Sequence, residues 1–193
     1  METLTPNSQD ITTAIKTILR YIGEDPEREG LKGTPDRIIR MFKEIFRGYN
    51  PKEKPTVTTF ENDGYSGIVF DSGEYYSMCE HHILPFFGKY YFAYVPSPTG
   101  RILGISKVAR VVGYCAARLQ LQERLASDIL GMLSEALNDN CLGMAIVMKG
   151  EHLCKTMRGV KNRGNMCVSL YTGVFKDPKY RSDFHNLINL QNG

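Results

Sequence analysis

The chain has 193 residues, of which 42% are apolar and 23% charged, with a formal net charge of +3. This length and apolar content suit one compact domain with a real core, and the small, mixed charge argues against a nucleic-acid-binding protein, which usually carries a concentrated basic stripe. Five cysteines, no basic-then-apolar leader and no apolar run long enough for a bilayer predict a cytoplasmic protein without a membrane partner, whose thiols are free or metal-bound.

The first part of the chain, residues 1–54, is predicted to be helical. Apolar residues at helical spacing predict a helix from Ser8 to about Ile22, after a loose terminus. A second helix is predicted to begin at Thr34, which would cap it, because a proline and an acidic residue follow at once. This helix would end at Gly48. We therefore expect two amphipathic helices before the main part of the chain.

Residues 55–193 are expected to form one compact unit of mixed structure. Segments rich in β-branched and aromatic residues predict strands at 56–60, 67–70, 75–78, 89–95, 102–104, 143–148 and 168–175. Short turns join most of them, which favours an antiparallel sheet. Three helices are also predicted: one capped by Ser106, one from about Leu121 to Leu137, and a short one from Pro178 to about Ile188. This order of elements predicts an α+β fold.

Two short segments, Cys-Glu-His-His at 79–82 and His-Leu-Cys at 152–154, hold two of the five cysteines and three of the four histidines. Zinc takes thiolate and imidazole ligands in a tetrahedral shell, and a catalytic zinc keeps one position for water. Cys79 and His82 are three residues apart at the end of a predicted strand, so both can reach one ion. Cys154 would supply a third ligand. The sequence therefore predicts a zinc site.

The other two histidines of these segments, His81 and His152, are then free for proton transfer. His152 and Cys154 would point to the same side if their segment were extended. A structural zinc would instead need a fourth protein ligand, and either histidine could serve. Because the spacing lacks the paired Cys-x-x-Cys of zinc fingers and ribbons, we favour a catalytic zinc. The remaining cysteines are interpreted as small core residues: Cys115, Cys141 and Cys167.

Basic residues near the start of the predicted third helix suggest an anion site. Cations oppose the helix dipole there, and Lys107 and Arg110, three residues apart, would share a face around a docked phosphate. Arg158, just beyond the second histidine–cysteine segment, could add a bidentate contact. Ordinary surface charge is the simpler alternative, and from the residues alone we favour it for Arg37 and Arg40.

Gln122 and Glu123 stand at the start of the next predicted helix. A carboxylate offers two acceptor oxygens, and guanine presents N1–H and its exocyclic amine side by side, so one glutamate can pair with both. A glutamate at a helix start is more often a simple N-terminal charge. A purine contact is therefore a hypothesis here.

Four segments in this order resemble the GTP cyclohydrolase I family of the zinc-dependent type. They are Tyr76–His82, Leu103–Arg110, Arg118–Leu125 and His152–Cys154 with Met157–Val160. The resemblance, from about residue 34 to residue 184, implies the tunnelling fold: a four-stranded antiparallel sheet with two helices on one face, forming a catalytic part behind the N-terminal helices. It also implies a homodecamer of two stacked rings of five, with active sites between subunits.

The resemblance further implies a zinc-dependent hydrolase that converts GTP and water to 7,8-dihydroneopterin triphosphate and formate, the first step of pterin and tetrahydrofolate biosynthesis. Cys79, His82 and Cys154 would hold Zn²⁺, whose bound water becomes acidic enough to attack the guanine ring. His152 would protonate N7, and His81 would act as an acid on the ribose ring oxygen.

The same resemblance assigns the remaining roles. Ser106 would assist the sugar rearrangement, while Gln122 and Glu123 would hold the guanine edge. The cations that would contact the triphosphate are Lys107, Arg110 and Arg158, with Arg37 and Arg40 reaching in from a neighbouring subunit. Two alternatives are a non-catalytic purine- or pterin-binding member of the fold with a structural zinc, and an enzyme that stops after ring opening.

Overall fold

The structure, a computed structural model, describes residues 7–138 and 140–192. The predicted loose terminus lies outside these residues except for Asn7. The chain forms two compact units, one ending at Arg47 and one beginning at Gly48. Among the described residues, no helix has both the length and the apolar character needed to cross a bilayer.

The first unit contains helices α1 (Ser8–Tyr21) and α2 (Thr34–Ile45). Asn7 caps α1, because its side chain accepts hydrogen bonds from two backbone N–H groups of the first turn. The predicted start of α2 is right, but the predicted cap is wrong. Thr34 is already helical, because its N–H closes a turn onto the Leu31 carbonyl and Gly33 before it has near-helical dihedral angles.

The second unit is built on an antiparallel sheet. In chain order its elements are β1 (Thr59–Glu61), β2 (Val69–Cys79), β3 (Leu84–Pro96), β4 (Arg101–Leu103), α3 (Ile105–Ala116), β5 (Leu119–Gln120), α4 (Gln122–Ala136), β6 (Cys141–His152), α5 (Leu153–Thr156), β7 (Met166–Tyr171) and α6 (Pro178–Asn192). The main sheet has the order β5-β2-β3-β6-β7, in which only β5 is parallel to its neighbour. β1 and β4 form a separate antiparallel pair.

Strand β2 joins two segments that the sequence predicts as separate strands. Asp71, Ser72 and Gly73 resemble a turn, yet they pair in register with β3. The Asp71 carboxylate accepts a hydrogen bond from the Tyr90 hydroxyl at 2.9 Å. The Tyr90 ring also fills the space beside Gly73, where a Cβ would lie 2.8 Å from it. These contacts across the strand pair therefore stabilise an extended conformation in a segment whose residues favour turns.

Helices cover both faces of the sheet. On one face, α3 and α4 bury their predicted apolar stripes in the main core, which includes Val111, Val112, Ile129 and Leu133. This confirms the α+β prediction of an antiparallel sheet with two helices on one face. The other face carries α6 and a 3₁₀ turn at Gly173–Lys176, a second helical layer that the sequence does not predict.

Candidate metal centre

Cys79, His82 and Cys154 form a compact group of metal-binding side chains. One ligand atom from each lies within 4.8 Å of the other two, and the two sulfur atoms are 3.7 Å apart. Two thiolates on one tetrahedral zinc would lie about 3.8 Å apart, given Zn–S distances of about 2.3 Å. Cys79 is buried, Cys154 is half-buried and His82 is exposed. The group therefore fits an ion with three protein ligands and one side open to solvent.

The turn between β2 and β3 brings the first two ligands together. Cys79 pairs with Leu84 at the end of the ladder, and its carbonyl accepts a hydrogen bond from the Ile83 N–H at 2.9 Å. Ile83 has a φ of 52°, which is uncommon for a β-branched residue and stores local strain. The tight turn thus places His82 over the buried sulfur.

Glu80, which has no predicted role, links this turn to the start of α4. Its carboxylate forms an ion pair with the Arg124 guanidinium, which raises the arginine pKa. Arg124 also donates to the Gln120 side chain at 2.9 Å and to the Leu119 carbonyl at 3.2 Å. The Glu80 N–H in turn donates to the Gln120 carbonyl. Several hydrogen bonds therefore hold the ligand turn against β5 and α4.

His152 ends β6 and is fixed on two sides. Its ring stacks on Phe86, with centroids 4.5 Å apart and planes 6° apart, and its Nε2 lies 2.9 Å from the Gln122 side-chain oxygen. Burial lowers the histidine pKa, while the charge of Glu123 acts in the opposite direction. The neutral imidazole is therefore favoured near pH 7.

The prediction that His152 and Cys154 share one side of an extended segment is wrong. The strand ends at His152, and Cys154 lies in the short helix α5. The Met157 N–H closes this turn onto the Leu153 carbonyl at 3.0 Å. The change of direction nevertheless brings the Cys154 sulfur to Cys79.

The other predicted histidine and the predicted arginine also lie at this centre. The His81 Nδ1 is 3.9 Å from the Cys79 sulfur, on an exposed turn. The Arg158 guanidinium lies 2.8 Å from the His82 Nε2. His81 and Arg158 thus lie beside two of the three proposed ligands, Cys79 and His82 respectively.

Gln122 and Glu123 differ strongly in exposure. Gln122 is 1% exposed, and its amide contacts the Met148 and Met166 carbonyls as well as His152. Glu123 is exposed to solvent. Their predicted contacts with guanine stay predictions, but the two side chains have clearly different surroundings.

At the start of α3, Ser106 does not cap the helix as predicted. Gly104 is the N-cap, in an extended conformation, and no described side chain caps the helix. The Gly104 carbonyl accepts a hydrogen bond from the Lys107 N–H at 2.8 Å. All three polar residues lie in the first two turns of α3, where Ser106 and Arg110 are exposed and Lys107 is half-buried. Arg37 and Arg40 are exposed on α2 of the other unit.

The three cysteines outside the centre have different surroundings. Cys115 is buried, and burial raises the pKa of its thiol to about 12. Cys141 is half-buried, and Cys167 is exposed on β7. The prediction of a core position is therefore confirmed for Cys115 and wrong for Cys167, because β7 is an edge strand and this side chain points away from the core.

Comparison with known proteins places the chain among close relatives. The family model of GTP cyclohydrolase I matches residues 11–189. Proteins named GTP cyclohydrolase 1 from Caldanaerobacter subterraneus subsp. tengcongensis and Thermoanaerobacter pseudethanolicus are 48% and 47% identical over 186 residues, each match covering 95% of this chain and 97% of the relative. The GTP cyclohydrolase 1 from Acetivibrio thermocellus is 42% identical, and the match covers 95% of this chain and 98% of the relative. The similarity spans every residue of the candidate centre.

Proposed function

Because this chain belongs to the GTP cyclohydrolase I family and is an enzyme of that type, we propose that Cys79, His82 and Cys154 hold a zinc ion at which GTP and water become 7,8-dihydroneopterin triphosphate and formate. The observation that carries the zinc proposal is the group of three ligand residues, in which His82 is exposed to solvent. A structural zinc would require a fourth protein ligand. When bound, zinc supplies an acidified water as the nucleophile for the guanine ring.

The two histidines beside the centre would move the protons. His152 is held in a defined orientation, and burial favours its neutral form, so it can take up the proton that the adding water loses and pass it to N7 of the guanine ring. His81 is exposed beside Cys79 and would serve the ribose ring oxygen. Ser106, at the exposed start of α3, would assist the rearrangement of the sugar.

Substrate recognition would use the charged groups around the same region. The exposed carboxylate of Glu123 can accept two hydrogen bonds from the guanine edge. Lys107 and Arg110 share the first turns of α3, and the N-terminus of this helix, which has no side-chain cap, also favours phosphate. Arg158 would complete the triphosphate contacts, and Arg40 of a neighbouring subunit would add a further cation.

The active assembly would be a homodecamer in the cytoplasm, serving pterin and tetrahydrofolate biosynthesis. Supporting the assembly, the described sheet has open edges at β7 and along most of β2, because β5 pairs only with residues 78 and 79. Unpaired strand edges favour strand pairing with another chain. Native mass spectrometry would give a species of ten 21.8-kDa chains, about 218 kDa, whereas a monomer would contradict the proposal.

Product identification by mass after incubation with GTP and zinc tests the function. We expect formate and 7,8-dihydroneopterin triphosphate from the wild type, and neither product from Cys79→Ser. Cys167→Ser, at an exposed cysteine outside the centre, is the matched control and should retain activity. A ring-opened product without formate would show an enzyme that stops early. Stoichiometric zinc without any turnover would favour a binding protein instead.

A further inference from the structure

Gln122 has hydrogen bonds that determine the direction of its amide. The side-chain nitrogen lies 2.9 Å from the Met148 carbonyl oxygen and 3.2 Å from the Met166 carbonyl oxygen. Carbonyl oxygens only accept hydrogen bonds, so the NH₂ group must face them. The reversed amide would place its oxygen against two other oxygens in a buried site. The side-chain oxygen of Gln122 therefore faces His152.

This direction determines which ring nitrogen of His152 carries the proton. An amide oxygen can only accept, so His152 Nε2, 2.9 Å away, must donate. The neutral ring is then the Nε2–H tautomer, and its lone pair lies on Nδ1. Among the described residues, Nδ1 has no hydrogen-bond partner. The parallel stack on the fully buried Phe86 ring keeps the imidazole plane in place.

We propose that Gln122 is a positioning residue, which holds His152 as the Nε2–H tautomer and so makes Nδ1 the atom that exchanges a proton with the substrate. This inference rests on the proposed function, in which His152 is the proton-transfer group. It gives Gln122 a role through His152 rather than through the guanine edge. Removing a partner that orients a metal-binding histidine typically costs about 10- to 100-fold in metal affinity or activity, and we expect a loss of activity of the same order here.

The surroundings of Gln122 are close-packed around this contact. A Cβ on Gly150 would lie 2.9 Å from the Gln122 side-chain oxygen and 2.3 Å from the Tyr75 hydroxyl. Glycine at this position of β6 therefore leaves the space that the amide occupies. The Tyr75 ring is 2% exposed, which closes this side of the amide to solvent. Gln122 is thus held at His152 by packing as well as by hydrogen bonds.

The first test is the tautomer itself. Solid-state ¹⁵N NMR of sedimented, zinc-loaded enzyme labelled only at histidine, recorded at pH 8, reports the protonation of each ring nitrogen, and a His152→Ala difference spectrum assigns the signals. We expect a protonated Nε2 and an unprotonated Nδ1. The opposite tautomer in the wild type would overturn the proposal without any Gln122 variant. Because this measurement needs no turnover, a failure of the proposed GTP reaction would be recognised separately.

The second test uses variants of Gln122. Gln122→Met removes the acceptor, and we expect a mixture of tautomers and a kcat lower by about 10- to 100-fold with a nearly unchanged KM for GTP. A large rise in KM with an unchanged tautomer in Gln122→Met would instead support a direct contact with guanine.

Asn62→Leu is the matched control. Asn62 is 9% exposed, and its amide donates to the Tyr65 carbonyl at 2.8 Å and to the Ser97 carbonyl at 2.7 Å, without contacting His152. Its loss removes a similar set of buried hydrogen bonds. We expect the His152 ring signals to match the wild type. A change of tautomer in this variant would show that general loosening, not the Gln122 contact, controls the ring.

Discussion

Glu80 illustrates how a residue between two proposed ligands can support a metal centre without binding the ion. Its carboxylate pairs with Arg124, which also binds the Gln120 side chain and the Leu119 carbonyl. The ion pair is only partly buried, with 31% and 44% of the two side chains exposed. Its direct contribution to stability is therefore expected to be at most about 1 kcal/mol. Its main effect would be the placement of Cys79 and His82.

We predict that Glu80→Gln weakens zinc binding by about two- to tenfold, less than the loss of a group hydrogen-bonded to a ligand, and lowers the free energy of unfolding by at most about 1 kcal/mol. Competition with a chromogenic chelator measures the affinity. Glu74→Gln, at an exposed acidic residue of the preceding strand β2, should bind zinc like the wild type. Equal zinc affinities for all three proteins would show that the ion pair does not support the centre.

Cys115 gives a pH dependence with a defined sign. Burial raises the pKa of its thiol from 9.0 to about 12, so the folded protein keeps this proton to a higher pH than the unfolded chain does. The contribution of this protonated thiol to the free energy of unfolding is fully present below pH 9 and is lost as the pH rises towards 12. One such group contributes a slope of about 1.4 kcal/mol per pH unit.

We therefore predict that Cys115→Ala reduces the loss of stability between pH 8 and pH 10 by about 1.4 kcal/mol. Urea unfolding of the wild type and the variant at both pH values measures the difference. The variant would be less stable than the wild type at pH 8, because it leaves a small cavity in the core. Parallel losses of stability in the two proteins would show that the thiol does not titrate in this range.

At the residue scale, the sequence predicts what depends on residue type and short spacing. Cys79, His82 and Cys154 could be proposed as ligands because thiolates and imidazoles are uncommon and lie in two short segments. The contacts of Glu80 and Gln122 could not be predicted, because they depend on where α4 packs against β2 and β6. The cap at Ser106 was wrong because an extended glycine can begin a helix as well.

At the scale of single elements, α6 forms one half of a second core. Phe184 is fully buried and contacts the rings of Phe70 and Phe175, with centroids 6.0 and 5.9 Å apart. These side chains lie against the face of β3 that carries Tyr91 and Val95. The helix therefore covers a sheet face that would otherwise expose apolar side chains to solvent.

We predict that Phe184→Ala lowers the free energy of unfolding by about 3–5 kcal/mol, as expected for the loss of a fully buried phenylalanine. Chemical denaturation measures the change. Asn189→Ala, at an exposed position of the same helix, should stay within about 0.5 kcal/mol of the wild type. A loss of similar size in both variants would indicate that α6 responds to any substitution and that the buried ring is not decisive.

The elements that the sequence predicts best are those with a long apolar pattern. α3 and α4 have their predicted apolar stripes in the core because 3.6-residue periodicity is visible over several turns. The sequence predicts the two halves of β2 as separate strands because Asp71 and Gly73 favour turns, and only the contacts with Tyr90 show why they continue the strand. The sequence predicts the helix α6 but not the layer that it forms, because sequence periodicity does not show which sheet face a helix covers.

For the molecule as a whole, the metal centre joins distant parts of the second unit. Cys79 and Cys154 are 75 residues apart in sequence, yet their sulfur atoms lie 3.7 Å apart. Such a group is assembled only when β2, β3 and β6 are paired. Zinc should therefore bind the folded protein far more tightly than the unfolded chain, and binding should stabilise the fold.

We predict that removing zinc lowers the free energy of unfolding of the wild type. With free zinc buffered at 100 times its dissociation constant, the expected difference from chelated protein is about 2.7 kcal/mol, provided that the unfolded chain binds weakly. Urea unfolding in zinc buffer and in chelator, at one protein concentration, gives this value. Cys79→Ser should show almost no zinc-dependent difference, because one of its two thiolate ligands is lost. If zinc stabilised the two proteins equally, the ion would be bound elsewhere, and the ligand group of Cys79, His82 and Cys154 would be wrong.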